Sequence, residues 1–367
     1  MAAKKVALLT SGGDCPGLNA TMRGIGKALY QNIKNVEVYG FLGGFPGMIA
    51  GNYAKLSPRD FSGILTHGGT ILGSGRQPFK TMKVIGDDGV DKVANMKKIY
   101  DDLGLDCLMI LGGNGTHKTA NLLANEGMNV IGLPKTIDND IYGTDMCFGF
   151  QTALEVATDA IDRVHSTAES HNRCMIVQLM GNKAGWLTLY SGIAGGADII
   201  LIPEIPFEME NVIKAVNIRR KNGHNFTIIA VAEGAMTKDE AKLKEKDRIA
   251  ARRGNGYRNV AELIEGALVK EGIETRTLVP GYMQRGGSPC AYDRFLCTKF
   301  GVYAANLFDE GVFGVTVALK NNEVTHNLLS SVAGKTKFVP KDDQSVKLAK
   351  TMGITFGDKT PGDTYKK

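Results

Sequence analysis

Short runs of apolar residues recur along the chain, and nearly every one stops at a glycine or a polar cluster. KKVALLT (4–10) runs into SGGDCPGLNA, LDCLMIL (105–111) into GGNGTHKTA, and MNVIGLP (128–134) into KTIDND. RCMIVQLM (173–180) runs into GNKAGW, ADIILIP (197–203) into EIPF, and FTIIAVA (226–232) into EGA. These runs are rich in Val, Ile and Leu and do not alternate with polar residues, which predicts strands covered on both faces. Between them lie stretches with helical spacing. TALEVATDAIDRVHSTA (152–168) sets Leu154, Val156, Ala157, Ile161 and Val164 on one side of a predicted helix. Strands alternating with helices predict a doubly wound parallel α/β sheet. In such a sheet ligands gather at the carboxyl ends of the strands, where the glycine-rich and polar segments fall.

Two stretches depart from this rhythm. Residues 237–258, TKDEAKLKEKDRIAARRGNGYR, mix charges of both signs, and a solvated helix and loop is the expectation. Tyr257 is its only aromatic residue, far short of the interleaving that single-strand nucleic-acid binding would require. From Lys335 the chain is polar, with one amphipathic segment near Val346–Met352.

Length and composition change this picture little. The 367 residues are 43% hydrophobic, enough for one large domain or two ordinary ones. The net charge of +6 is mild and suits anionic ligands without demanding nucleic acid. No run of 18 apolar residues predicts a membrane span. MAAKKVALLTSGGD lacks an apolar signal core, so a cytosolic enzyme is expected. The six cysteines form no CxxC pair and read as buried free thiols.

Four groups of residues carry candidate chemistry. TSGGDCPGLNATMRG (10–24) and LGGNGTHKTA (111–120) are glycine turns between a strand and a helix, where backbone N–H groups approach a phosphate closely. Neither is a Walker A loop or a dinucleotide fingerprint. PKTIDND (134–140) sets Asp138 and Asp140 two residues apart, on one face if the segment is extended. One carboxylate could take a hydroxyl proton while the other helps hold a metal ion. Arg76, Arg173, Arg276 and Arg285 lie beside glycines or at element ends, settings that suit phosphate clamps.

In this order TSGGDCPGLNA, GSGR, GGNGT, PKTIDND, SHNR, MGNKAG, IPE, VAEGA and PGYMQRGGSPCAYDR resemble the phosphofructokinase family, over about residues 4 to 320. The resemblance implies two similar Rossmann-like domains with the active site in the cleft between them. The expected boundaries are 1–149 plus 284–334 for the phosphoryl-donor domain, and 150–283 plus 335–367 for the sugar-phosphate domain with a C-terminal extension. The implied reaction moves a phosphoryl group from ATP, with Mg²⁺, to the 1-hydroxyl of fructose 6-phosphate. Asp138 would be the general base, and Thr136 would lie beside the transferred group. Gly13, Arg76 and Lys135 would join them in the catalytic set. Gly13, Arg76, Gln77 and the loop Gly113, Asn114, Gly115 and Thr116 would hold the donor, with Asn114 at the metal. Met180, Gly181, Asn182 and Glu233 would line the sugar. Tyr282 and Arg285 would complete its phosphate pocket. Arg173 and Arg276 would clamp that phosphate from a neighbouring subunit, so the chain would self-associate as a dimer or tetramer. Nucleic acid and membrane are not expected partners.

Several positions depart from the family pattern. Gly115 leaves room for the α-phosphate of ATP, whereas Lys135 is the residue of pyrophosphate users. Because steric exclusion is the stronger criterion, ATP is the expected donor and pyrophosphate the alternative. Asn114 stands where aspartate is usual, Asn182 where arginine is usual, and Tyr282 where histidine is common. Lys183 is a candidate for the charge missing at Asn182. Arg23 keeps the family's effector charge. Lys27, Pro58, His165, Asn222, His224 and Phe226 do not match the rest, so weak effector control is expected. A ligand sensor without turnover, or a small-molecule kinase acting on NAD or diacylglycerol, are the rival readings.

Overall fold

The computed structural model describes residues 3–85 and 89–360. The end of the predicted C-terminal extension, residues 361–367, lies outside the described residues. The chain divides into two compact units: Met1–Thr152 with Arg285–Lys337, and Ala153–Gln284 with Phe338–Lys367.

In the first unit the strands are β1 (Lys4–Ser11), β2 (Val36–Phe41), β3 (Tyr53–Leu56), β4 (Cys107–Gly112), β5 (Val130–Pro134), β10 (Val315–Lys320) and β11 (Glu323–Leu328). Its helices are α1 (Leu18–Asn32), α2 (Phe45–Ile49), α3 (Lys92–Leu103), α4 (Asn114–Asn125), α10 (Ala291–Asp309) and α11 (Leu329–Val332). The sheet runs β11-β10-β5-β4-β1-β2-β3. Its five central strands are parallel, and β3 and β11 close the two edges antiparallel. The predicted buried strands are there because β1, β4 and β5 carry almost unbroken apolar runs that both layers of helices cover. α1 and α10 cross at close range. A Cβ on Gly24 would stand 3.0 Å from the Thr298 carbonyl oxygen, and one on Gly301 would stand 2.5 Å from that of Thr21. Only glycine permits that approach.

The chain passes into the second unit along α5 (Phe150–His171), the helix read from residues 152–168. That unit holds β6 (Cys174–Leu179), β7 (Ile199–Leu201), β8 (Thr227–Ala232) and β9 (Thr275–Leu278), all parallel in the order β7-β8-β6-β9. The helices are α6 (Trp186–Ala194), α7 (Met209–Lys221), α8 (Glu245–Gly254), α9 (Val260–Lys270) and α12 (Gln344–Thr351). Val212, Ala215 and Val216 of α7 and Val260, Ile264 and Leu268 of α9 pack with Ile176, Ile229 and Val231 into one core. Asn259 caps α9 by accepting from Glu262 N at 2.9 Å. All six cysteines are free, five of them buried and Cys290 half-buried. Among the described residues no helix is long and apolar enough to cross a membrane.

Candidate functional site

Strand register brings the first unit's loops to one level. Ser11 pairs with Gly112, and Gly112 with Pro134. The chain therefore leaves β1, β4 and β5 side by side, around the point where the strand order reverses. Gly12 N donates to Gly75 O at 3.2 Å, and Ser74 Oγ donates to Gly12 O at 2.6 Å, so the segment carrying Arg76 and Gln77 is tied to the first glycine turn. Arg76 itself is exposed.

Lys135 organises this end of the sheet. It is 4% exposed, and its ammonium donates to the Gly13 carbonyl oxygen. A Cβ on Gly12 would lie 3.7 Å from Lys135 Nζ and 3.9 Å from Thr116 Oγ1. Burial is the main influence on Lys135 and pulls its pKa below the usual lysine value; Arg285 pulls the same way, while Cys15, Asp14 and Asp138 oppose. Arg285 covers the outer side, donating to Asp14 O at 3.2 Å, and a Cβ on Gly13 would stand 2.9 Å from its Nη1. Arg285, expected at the sugar phosphate, is thus placed beside Gly13, Asp14 and Lys135. Burial raises the Cys15 thiol to about 12, so it stays protonated here.

Beyond Lys135 the acidic segment turns sharply. Thr136, Asp138 and Asp140 are half-exposed, whereas Ile137 and Asn139 are buried. The alternation puts the two aspartates on the outward side, but Asn139 is left-handed (φ 50°), so the segment is a turn rather than an extended strand. Asn139 fixes the turn by accepting from Cys147 N at 2.9 Å and donating to Asp145 O at 3.2 Å. Thr136 Oγ1 accepts from Asp138 N at 3.0 Å.

At the start of α4 the backbone N–H groups of the first turn face outward with the positive end of the helix. A Cβ on Gly115 would meet nothing within 4 Å. Asn114 donates through Nδ2 to Lys335 O at 2.8 Å and to Thr336 Oγ1 at 2.9 Å, which leaves its oxygen for other partners. No local pattern signals this tie to a segment more than 200 residues away. His117, buried, bonds Gly113 O at 2.9 Å and Thr316 Oγ1 at 2.8 Å, and burial lowers its pKa to about 4. It is a neutral prop under the loop.

In the second unit the predicted residues separate into two groups. Leu179 pairs with Ala232, so Met180, Gly181, Asn182 and Glu233 leave the sheet together. Glu233 N donates to Leu179 O at 2.8 Å, and Gly234 N donates to Gly181 O at 3.1 Å. Met180 N donates to the buried Gln284 Oε1 at 3.2 Å. Asn182 and Glu233 are exposed, and Tyr282 is 81% exposed. Arg173 and Arg276 lie elsewhere. Arg173 precedes β6, Arg276 is the second residue of β9, and both reach Glu274, at 2.7 and 3.4 Å. That is the amino-terminal end of the sheet, roughly 20 Å from Met180 along a six-residue strand. These two arginines cannot meet the Met180–Asn182 and Glu233 group within one copy of this unit.

An open α/β protein with level glycine turns, a buried lysine and an arginine beside them belongs to the class that binds phosphorylated ligands at its strand ends. The comparisons narrow this. The model of the family "Phosphofructokinase" matches residues 5–308, and the chain belongs to that family. It is 50% identical over 365 residues to an ATP-dependent 6-phosphofructokinase of Spirochaeta thermophila, covering 97% of this chain and 98% of the relative. It is 45% identical to ATP-dependent 6-phosphofructokinase 3 of Bacteroides thetaiotaomicron, covering 96% and 100%. Among solved structures it resembles Pichia pastoris phosphofructokinase in the T-state, with a TM-score of 0.79 and 31% identity over 91% of this chain and 36% of that longer one. A pyrophosphate-dependent phosphofructokinase of Nitrosospira multiformis shares the fold, with a TM-score of 0.78 and 20% identity over 94% of this chain and 88% of that one.

Proposed function

We propose that this chain is an ATP-dependent 6-phosphofructokinase, phosphorylating fructose 6-phosphate at its 1-hydroxyl to give fructose 1,6-bisphosphate in glycolysis. The observation that carries the reading is the level row of loops around Lys135, with Asp138 beside it. Relatives named for ATP, at 50% and 45% identity, support ATP as donor. So does the open space at Gly115, where an aspartate would crowd and repel an α-phosphate. Lys135, whose ammonium is engaged with the Gly13 carbonyl, is compatible with either donor.

Phosphoryl transfer depends chiefly on positioning and on neutralising charge in a loose transition state. In this reading the turn at Gly13, the loop from Gly113 to Thr116, Arg76 and Gln77 hold the triphosphate, and Lys135 balances its charge. Thr136 orients the γ-phosphoryl group. Asp138 accepts the proton of the sugar hydroxyl late in the transfer, which needs no raised pKa. Met180, Gly181, Asn182, Glu233 and Tyr282 line the sugar, and Arg285, next to Gly13, serves the donor side. Among the described residues no three acidic, histidine or cysteine side chains gather into a metal site. Mg²⁺ keeps most of its waters and binds through one or two protein oxygens plus substrate phosphates. The Asn114 oxygen is the donor available for it, and the ion would neutralise charge between the phosphates.

Arg173 and Arg276 lie at the far end of their sheet from Met180 and Glu233. This supports an assembly in which they clamp the 6-phosphate bound to another copy. The activity is tested by supplying ATP and pyrophosphate in separate reactions with fructose 6-phosphate and Mg²⁺. Bisphosphate with ATP alone is expected. Bisphosphate with pyrophosphate alone would reverse the weight given to Gly115.

A further inference from the structure

The charged stretch expected to be a solvated helix is mostly that, with one exception. α8 has little apolar surface to bury, and Leu243 and Ile249 are 45% and 41% exposed. What fixes it is Arg252, 8% exposed. Its Nε donates to Glu240 Oε1 at 2.5 Å, and its Nη2 donates to Glu240 Oε2 at 2.8 Å and to Ala235 O at 2.7 Å. Burial pushes Glu240 up, but the bonds from Arg252 and Thr237 N hold its carboxyl below the usual range. This bidentate fork locks α8 over the turn that follows Glu233.

Between α8 and that turn lies a cavity of about 270 Å³, lined by Gln178, Asn182, Glu233, Asn259 and several α8 side chains. Arg248, Arg252, Arg253 and Arg258 all line it. Two are committed elsewhere, Arg252 to Glu240 and Arg258 to Glu262 at 2.6 Å. Arg248 has the Met236 sulfur at 3.0 Å, and among the described residues neither Arg248 nor Arg253 has a carboxylate within ion-pair distance. Guanidinium groups with no carboxylate at ion-pair distance, beside amides and the two carboxylates of Glu233 and Glu245, complement a phosphorylated polyol. Guanidinium takes phosphate oxygens, while amide and carboxylate groups take hydroxyls. The volume falls just below the usual range of ligand pockets, about 300–1,000 Å³, which suits a single sugar ester better than a nucleotide.

We propose that Arg248 and Arg253 are specificity-determining residues for the phosphorylated sugar, supplying from α8 the positive charge that Asn182 and Glu233 do not provide. This rests on the sugar-kinase reading above. The role of the 237–258 segment is then to carry a cationic wall, anchored by Arg252, to the acceptor residues.

The test uses the full chain and the variants Arg248→Gln, Arg253→Gln, the double variant and the two lysine replacements. Three readouts are taken: KM and kcat for each substrate, thermal stabilisation by fructose 6-phosphate without ATP, and unliganded Tm as a folding control. The double variant should raise the KM for fructose 6-phosphate at least tenfold. Its KM for ATP should stay unchanged and its kcat within about threefold. It should lose the stabilisation by the sugar, and lysine should restore part of both. An unchanged sugar KM and unchanged stabilisation would overturn the proposal. So would an equal rise in both KM values. If the wild-type chain neither turns over nor binds fructose 6-phosphate, the sugar-kinase reading fails instead. Inorganic phosphate then serves as the probe: stabilisation of the wild type but not the double variant would keep the anion site, and no stabilisation of either would remove it.

Discussion

The carboxyl ends of the two sheets are built in opposite ways. In the first unit the working groups are locked into one another: Lys135 is buried against the glycine turn, Arg285 covers Gly13, Asn139 pins the acidic turn, and His117 supports the loop from below. In the second unit the backbone is equally ordered, but Asn182, Lys183, Glu233 and Tyr282 stand in solvent, and the arginines Arg248, Arg253, Arg173 and Arg276 lie on α8 or at the far end of the sheet. A preorganised charged end suits chemistry that depends on electrostatic positioning. An open polar end suits capture of a hydrophilic acceptor whose remaining contacts come from other segments or another copy.

The sharpest way to break this contrast is at the first unit. Asp138→Asn should lower kcat by about 10²–10⁴-fold with both KM values little changed, measured by steady-state kinetics. A loss seen only in the sugar KM would move Asp138 from chemistry to binding. The second unit should behave differently. Arg173→Ala should raise the KM for fructose 6-phosphate about ten- to a hundredfold, from the loss of one charged hydrogen-bonding partner. If that arginine serves another copy, assembling Asp138→Asn and Arg173→Ala chains together should restore activity at low fructose 6-phosphate that neither chain shows alone. Absence of any recovery in mixed assemblies would confine each site to one chain.

Gly115→Asp should raise the KM for ATP roughly tenfold or more, about 1.4 kcal/mol, and leave pyrophosphate binding unaffected. An unchanged ATP KM would mean that the open space is not where the α-phosphate lies. A smaller effect concerns stability. His117 has a folded pKa of about 4, below its unfolded value near 6.5, so the unfolded chain takes the proton first. Its contribution is fully present above pH 6.5 and is lost as the pH falls through 4, on the order of 3 kcal/mol in all. Denaturant unfolding of the wild type and His117→Gln across that range should show the difference between them shrinking toward acid pH. A constant difference would mean that His117 titrates normally.

Most of the sheet was legible in the sequence because buried parallel strands need continuous apolar runs, and each run read from the sequence corresponds to a strand. The strands that did not stand out are β2, β3, β9, β10 and β11. β2 and β3 are short and partly exposed, and β11 alternates little in burial. The glycine turns and PKTIDND were visible as local patterns. The position of Arg285 over Gly13 was not, because it depends on a chain return across 271 residues. The Asn114 tie to Lys335 and Thr336 was hidden for the same reason. In the 237–258 stretch, charge pattern alone could not separate Arg252, buried in its fork with Glu240, from its exposed neighbours.

The most direct test of phosphoryl transfer at this site follows the phosphorus itself. ³¹P NMR of the chain with ATP, Mg²⁺ and fructose 6-phosphate should show ADP and a sugar 1-phosphate ester growing in equal amounts, with no inorganic phosphate. ADP with inorganic phosphate and no new ester, or an unchanged spectrum, would contradict the account.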